Sequence, residues 1–166
     1  RLQLRMLGRG EPGFVESLRI KARALGGDDW LDMPGFIARE KLPMYLSRAH
    51  VFAAPSAYEG GPGFVYLEAM ACGLPVIACE GSGATEVVHS GDNGWVIASD
   101  DAGGLVRVLR DALTNDTKRE TMGASARRYA LTHAQTDKCV KAIELFYLKI
   151  ISASSALSGI ACLPAQ

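Results

Sequence analysis

Cysteine is scarce and unpatterned: four residues, at 72, 79, 139 and 162, form no CxxC pair. They are too few for a disulfide framework, and a reducing, cytoplasmic setting is the simpler expectation. An excess of either charge is missing too. Eighteen Lys and Arg balance eighteen Asp and Glu, for a formal net charge of +0. That excludes the basic footprint of a dedicated nucleic-acid binder. No apolar run reaches the roughly eighteen residues a membrane span needs. The three histidines, His50, His89 and His133, are widely spaced and offer no metal-ligand pattern. There is no Gly-x-Ser-x-Gly elbow and no Cys placed with a His as a nucleophile pair. Internal repeats are absent. No signal peptide precedes Arg1, and a start without Met, directly on a strand-like stretch, leads us to expect a piece of a longer chain.

What is present has the composition of a globular α/β domain: 166 residues, 48% hydrophobic and 22% charged. Apolar stretches at 2–7, 32–37, 50–54, 75–79 and 94–98 read as strands. Helical periodicity lies between them and beyond them. Phe14, Leu18, Ala22 and Leu25 follow Pro12 and stop at Gly26-Gly27. Leu42, Tyr45, Leu46 and Ala49 form a second stretch, 64–72 a third closed by Gly73, and 84–89 a short one. Leu105, Val108, Leu109, Ala112 and Leu113, then 117–131, then Val140, Ile143, Tyr147 and Ile150, give three C-terminal helices. Strands alternating with helices predict a Rossmann-like, doubly wound parallel sheet of about five strands. We expect one domain over 1–151 and, over 152–166, a Ser/Ala-rich tail that is a loose end or docks on a partner.

In such sheets ligands bind at the carboxyl ends of the strands, which selects the loops 8–13, 35–39, 55–63 and 80–85. The third is the most informative. Between Gly60 and Cys79 the only charge is Glu68, flanked by Tyr66, Leu67, Ala69 and Met70. A carboxylate there is costly to desolvate unless donors meet it, and the two hydroxyls of a ribose would supply them. Just upstream, Gly60, Gly61, Pro62 and Gly63 let a ligand approach the backbone. The N–H groups of Phe64 and Val65, with the helix dipole, favour an anion. Anion and diol one turn apart describe a nucleoside diphosphate. A Gly-rich turn with Glu68 on a solvated stripe is the competing reading.

Gly8, Gly10 and Gly13 match G-x-G-x-x-G between a strand and a helix, the place of a dinucleotide fingerprint. Against it, Glu11 sits where a pyrophosphate would lie, and no acid follows at the end of the next strand. Trp30 and Trp95 are expected to fill core or hinge space. Arg107, Arg110, Lys118 and Arg119 are expected to be solvated helix faces.

The stretch Pro55-Ser56-Ala57-Tyr58-Glu59-Gly60-Gly61-Pro62-Gly63-Phe64-Val65-Tyr66-Leu67-Glu68-Ala69-Met70-Ala71-Cys72-Gly73-Leu74-Pro75-Val76-Ile77 resembles the retaining glycosyltransferases of family 4. Leu7-Gly8-Arg9-Gly10-Glu11-Pro12, Pro34-Gly35-Phe36-Ile37, Ser82-Gly83-Ala84-Thr85-Glu86 and Gly91-Asp92-Asn93-Gly94-Trp95 agree in order. The resemblance covers about residues 1–150 and implies the C-terminal, donor-binding half of a two-domain GT-B fold, lacking its first strand. It implies transfer of a sugar from a nucleotide-diphosphate sugar, UDP- or GDP-linked, with retention and without a cofactor or metal. Cell-envelope polysaccharide synthesis would be the setting, with a membrane-associated parent as one form of it.

By the same resemblance Glu68 would bind the ribose hydroxyls, and Gly61, Gly63, Phe64 and Val65 would hold the diphosphate. Gly35, Phe36 and Ile37 would border the nucleobase, with Gly8 in the neighbouring turn. Glu59, the nearest match to the family's first glutamate, would contact the transferred sugar. The family usually places seven residues between its two glutamates. Here eight lie between Glu59 and Glu68, so the first-Glu role stays open between Glu59 and the Gly60 position. The family's Arg and Lys for the diphosphate would lie upstream of Arg1, as would the N-terminal acceptor domain, so this stretch alone is not expected to catalyse transfer. The alternatives are a non-catalytic nucleotide- or partner-binding domain and a related GT-B sugar-nucleotide epimerase.

Overall fold

The computed structural model describes residues 2–27, 29–56 and 61–158. It divides the chain into two compact units, Arg1–Tyr45 and Leu46–Gln166, where the sequence suggested one domain to residue 151.

In the first unit β1 (Leu4–Leu7) pairs in parallel with β2 (Leu31–Gly35), and α1 (Pro12–Ala24) connects them. Pro12 opens α1 where no N–H is required of it. The helix ends as expected, with Leu25 as C-cap and Gly26 at φ +74°. β2 stops at Gly35, at φ +80°, so Phe36 and Ile37 belong to the following loop rather than to the strand. The Arg5 guanidinium meets Asp32 at 2.6 Å across the pair and lies over the Tyr45 ring. Ahead of α2 (Leu42–Leu46) runs a 3-10 turn, Arg39–Lys41.

The second unit is built on three parallel strands in the order β3 (Phe52–Ala53), β4 (Val76–Cys79), β5 (Gly94–Ile97). All five strands foreseen in the sequence are present and every described pairing is parallel, as two sheets of two and three strands. β4 is buried throughout, as befits an apolar strand paired on both sides. β3 is shorter than its apolar run, pairing with β4 at Phe52 and Ala53. Ile77, Cys79, Trp95 and Ile97 pack with Ala112 and Met122 from the helices.

Three helices follow: α4 (Ala102–Thr114), α5 (Asp116–His133) and α6 (Thr136–Ser158). Asp101 caps α4 by accepting from Gly104 N–H at 2.7 Å, and Asn115 caps α5 by accepting from Lys118 N–H at 3.0 Å. Asp101→Ala should cost about 1 kcal/mol of unfolding free energy, the usual scale for a lost cap; chemical denaturation measures it. α5 reads as polar along most of its length, yet Met122, Gly123, Ser125, Ala126 and Ala130 bury a small-residue face. A Cβ on Gly123 would strike the Gly73 carbonyl, so α5 lies directly against the turn that ends α3 (Phe64–Ala71).

Two expectations need correction here. The tail boundary at 151/152 falls inside α6, which continues without a break to Ser158; Ser and Ala extend a helix that is already nucleated. Arg119 is no solvated charge: its side chain is 13% exposed, reaching Asp116 at 2.7 Å and the Ala112 carbonyl at 3.0 Å. Trp95 does fill the core, at 7% exposure. No described helix is long and apolar enough to cross a membrane.

Candidate functional site

The sequence-predicted site residues fall in both units. Gly8, Gly35, Phe36 and Ile37 lie in the first, and Gly61, Gly63, Phe64, Val65 and Glu68 in the second. Glu59 and Gly60 lie outside the described residues, so the choice between them is not addressed by the fold.

In the first unit Gly8, at φ +130°, donates its N–H to the Gly35 carbonyl at 2.9 Å. This bond brings the ends of β1 and β2 together. Phe36 stands 63% exposed beside them, with the Arg9 guanidinium 4.8 Å from its ring centroid. That pairing was not foreseen, since nothing in the spacing relates residue 9 to residue 36. Glu11 resolves the fingerprint question. Its carboxylate caps α1 by accepting from Phe14 N–H at 3.1 Å, filling the position that a dinucleotide pyrophosphate would need.

The second unit treats its helix start differently. Where α1, α4 and α5 begin with side-chain caps, α3 begins at Gly63, which has no side chain to give. Gly61 at φ +145° and Gly63 at φ +66° need the backbone freedom of glycine. Phe64 is 78% and Val65 44% exposed, so the first two residues of the helix face outward. One turn on, the Glu68 side chain is half-buried, and among the described residues its carboxylate makes no hydrogen bond or ion pair. Glu68 is thus an acceptor pair on a helix, with no hydrogen-bond or ion-pair partner among the described residues.

α3 is held firmly. Tyr66 is fully buried, stacks edge-on against Phe52 at 5.7 Å and donates its hydroxyl to the Ala54 carbonyl. At the other end Arg127 donates to the Ala71 carbonyl at 2.8 Å. Cys72 sits there as well. Burial raises its thiol pKa, with Arg127 acting against the shift and Glu68 with it, so the thiol stays protonated at neutral pH.

Beside the Gly-rich loop lies the end of β4. Ser82 Oγ donates to the Cys79 carbonyl at 2.8 Å, and the Thr85 hydroxyl donates to the Ser82 carbonyl at 2.9 Å, fixing a 3-10 turn over Gly83–Glu86 where the sequence suggested a short helix. Asn93 is completely buried. Its amide accepts from His89 N–H at 2.7 Å and donates to the Val87 carbonyl at 3.0 Å, tying the connection into β5. His89 and His133 flank the Tyr129 ring at 5.3 and 4.6 Å, a packing role that matches their lack of a ligand pattern.

Among the described residues no group of three or more His, Cys, Asp or Glu is placed to hold a metal ion.

The sequence matches the family described as glycosyl transferases group 1 over residues 1–129. It is 34% identical over 128 residues to the GDP-mannose-dependent alpha-(1-6)-phosphatidylinositol monomannoside mannosyltransferase of Mycolicibacterium smegmatis, covering 74% of this chain and 34% of that protein. In fold it is similar to sucrose-phosphate synthase from Thermosynechococcus elongatus, with a TM-score of 0.81 and 26% identity over 91% of this chain and 39% of that one. It is also similar to HepE of Anabaena in complex with UDP-glucose, with a TM-score of 0.76 and 25% identity over 91% of this chain and 41% of that one. The chain therefore spans about a third of the length of the curated relative. With its parallel α/β architecture, it belongs to the glycosyl transferases group 1 family, as the C-terminal part of the two-domain GT-B fold.

Proposed function

We propose that this chain binds the nucleotide-diphosphate sugar of a retaining glycosyltransferase, and that the acceptor is bound by an N-terminal domain. The observation that carries the reading is the pairing on α3 of a helix start at Gly63 without a side-chain cap and, one turn further on, a Glu68 carboxylate that has no hydrogen bond or ion pair among the described residues. The helix start offers N–H donors and the positive end of a dipole to the diphosphate. Glu68 offers two acceptor oxygens to a vicinal diol. Distances along one helix fix their separation, so both halves of a nucleoside diphosphate are read by one rigid element.

In transfer, negative charge grows on the departing diphosphate as the glycosidic bond breaks. Preorganised donors at the start of α3 are positioned to stabilise that charge, so the reaction calls for no resident metal or cofactor. Glu59 is our candidate for the contact to the transferred sugar. Gly8, Gly35, Phe36 and Ile37 are our candidates for the base side. The scarcity of cysteine supports a cytoplasmic site of action. Retention follows only from the family pattern.

The test is a calorimetric panel of UDP, GDP and ADP with their sugar conjugates on the full chain as encoded. A single preferred diphosphate is expected. GDP is the first candidate because the mannosyltransferase relative is named for GDP-mannose, and UDP the second because HepE was solved with UDP-glucose. Failure of all three diphosphates and their conjugates to bind would overturn the reading.

A further inference from the structure

The Gly-rich loop before α3 does not stand alone. Gly83, twenty-two residues on in sequence, lies with its Cα directly against the backbone of Gly61. A Cβ built on Gly83 would collide with the Gly61 carbonyl, 2.5 Å from its carbon and 2.9 Å from the Gly61 Cα. Each of these Gly61 atoms is backbone, so no side-chain rotation could relieve the collision. Of the two partners, the Gly83 side is the anchored one. Ser82 is 4% exposed and bonded to Cys79, Ala84 is fully buried, and Thr85 bonds back to Ser82 through both its N–H and its hydroxyl. Among the described residues the Gly61 side has no such web, and it runs straight into the Gly63 helix start at positive φ.

We propose that Gly83 is a positioning residue for diphosphate binding: the turn at the end of β4 is the stop on which the Gly61–Gly63 segment rests, and the missing side chain at 83 sets how deeply the segment, and the ligand above it, can sit. The inference rests on the proposed donor site and adds a residue that touches no ligand. Anion binding by backbone N–H groups depends steeply on distance and angle. A methyl group at 83 must therefore move the segment outward and spoil those bonds, while contacts to the base and ribose, which other residues make, are spared.

The experiment compares Gly83→Ala with the unaltered full chain. UDP and GDP binding is read by calorimetry, and uridine and guanosine binding by ligand-observed NMR. Diphosphate affinity should fall about ten- to a hundredfold, the scale of losing hydrogen bonds to a charged group, with nucleoside affinity unchanged. A glycine needed only for folding would lower both alike. Should Gly83→Ala fail to fold, Ser82→Ala, which removes the buried anchor to Cys79, should show the same split at about threefold or more. Equal loss of both ligands in a folded variant, or no loss of either, overturns the inference while leaving the donor site standing. No nucleotide binding by the unaltered chain overturns both.

Discussion

Replacing Tyr66 by Ala should lower the unfolding free energy by about 3–5 kcal/mol, the range for emptying a buried aromatic site. Tyr66 has no solvent exposure, its ring meets Phe52, and its hydroxyl bonds the Ala54 carbonyl at the mouth of the Gly-rich loop. Ala keeps the helix but leaves a cavity between α3 and β3 that the buried β4 cannot collapse to fill. Tyr66→Phe separates the two contributions. It retains the ring and removes one donor, while the Ala54 carbonyl keeps the Ser56 N–H at 2.7 Å, so a loss of about 1 kcal/mol is expected. Urea denaturation of both variants provides the measurement. A Tyr66→Ala protein as stable as the parent would show that α3 is held by other contacts.

Glu68→Ala should have the opposite profile, with little effect on folding and a large one on ligand. The carboxylate makes no hydrogen bond or ion pair among the described residues, so its removal breaks none of theirs. The loss should appear in nucleoside-diphosphate affinity, at about 1–3 kcal/mol, or roughly ten- to a hundredfold. Glu68→Gln keeps one acceptor oxygen in place and should recover part of that loss. Calorimetry against the preferred diphosphate, beside a thermal melt, reads both effects. Unchanged affinity in Glu68→Ala would remove this residue from the ribose role.

The two residues sit two positions apart on one helix, and the sequence distinguishes them unequally. Glu68 was legible because it is the only charge between Gly60 and Cys79, and a lone carboxylate in an apolar helix demands a reason. Tyr66 was not, because an aromatic residue in an apolar run reads as core whether or not its hydroxyl has a partner. The strands were legible for a similar reason: β-branched runs such as Val76-Ile77 leave few alternatives when Gly and Pro bound them. What escaped was whatever depends on residues distant in sequence meeting in space. Asn93 in a turn motif gives no sign of complete burial, and Arg119 beside Lys118 looks like any solvated pair. Gly83 reads as one more glycine in a loop until Gly61 is seen beneath it. The end of α6 escaped for a local reason, since small residues look like a loose tail when the turns preceding them are ignored.

Among the described strands, β4 alone has a neighbour on each side, and no residue of it is exposed. In hydrogen-exchange terms its amides belong to the class that opens only when the whole unit unfolds. Phe64 and Val65 at the start of α3 belong to the other class, because they are exposed at the edge of the unit. Capture and release of a ligand at that edge therefore require no breach of the central strand. The rate at which the edge opens is free to be set independently of the rate at which the protein comes apart.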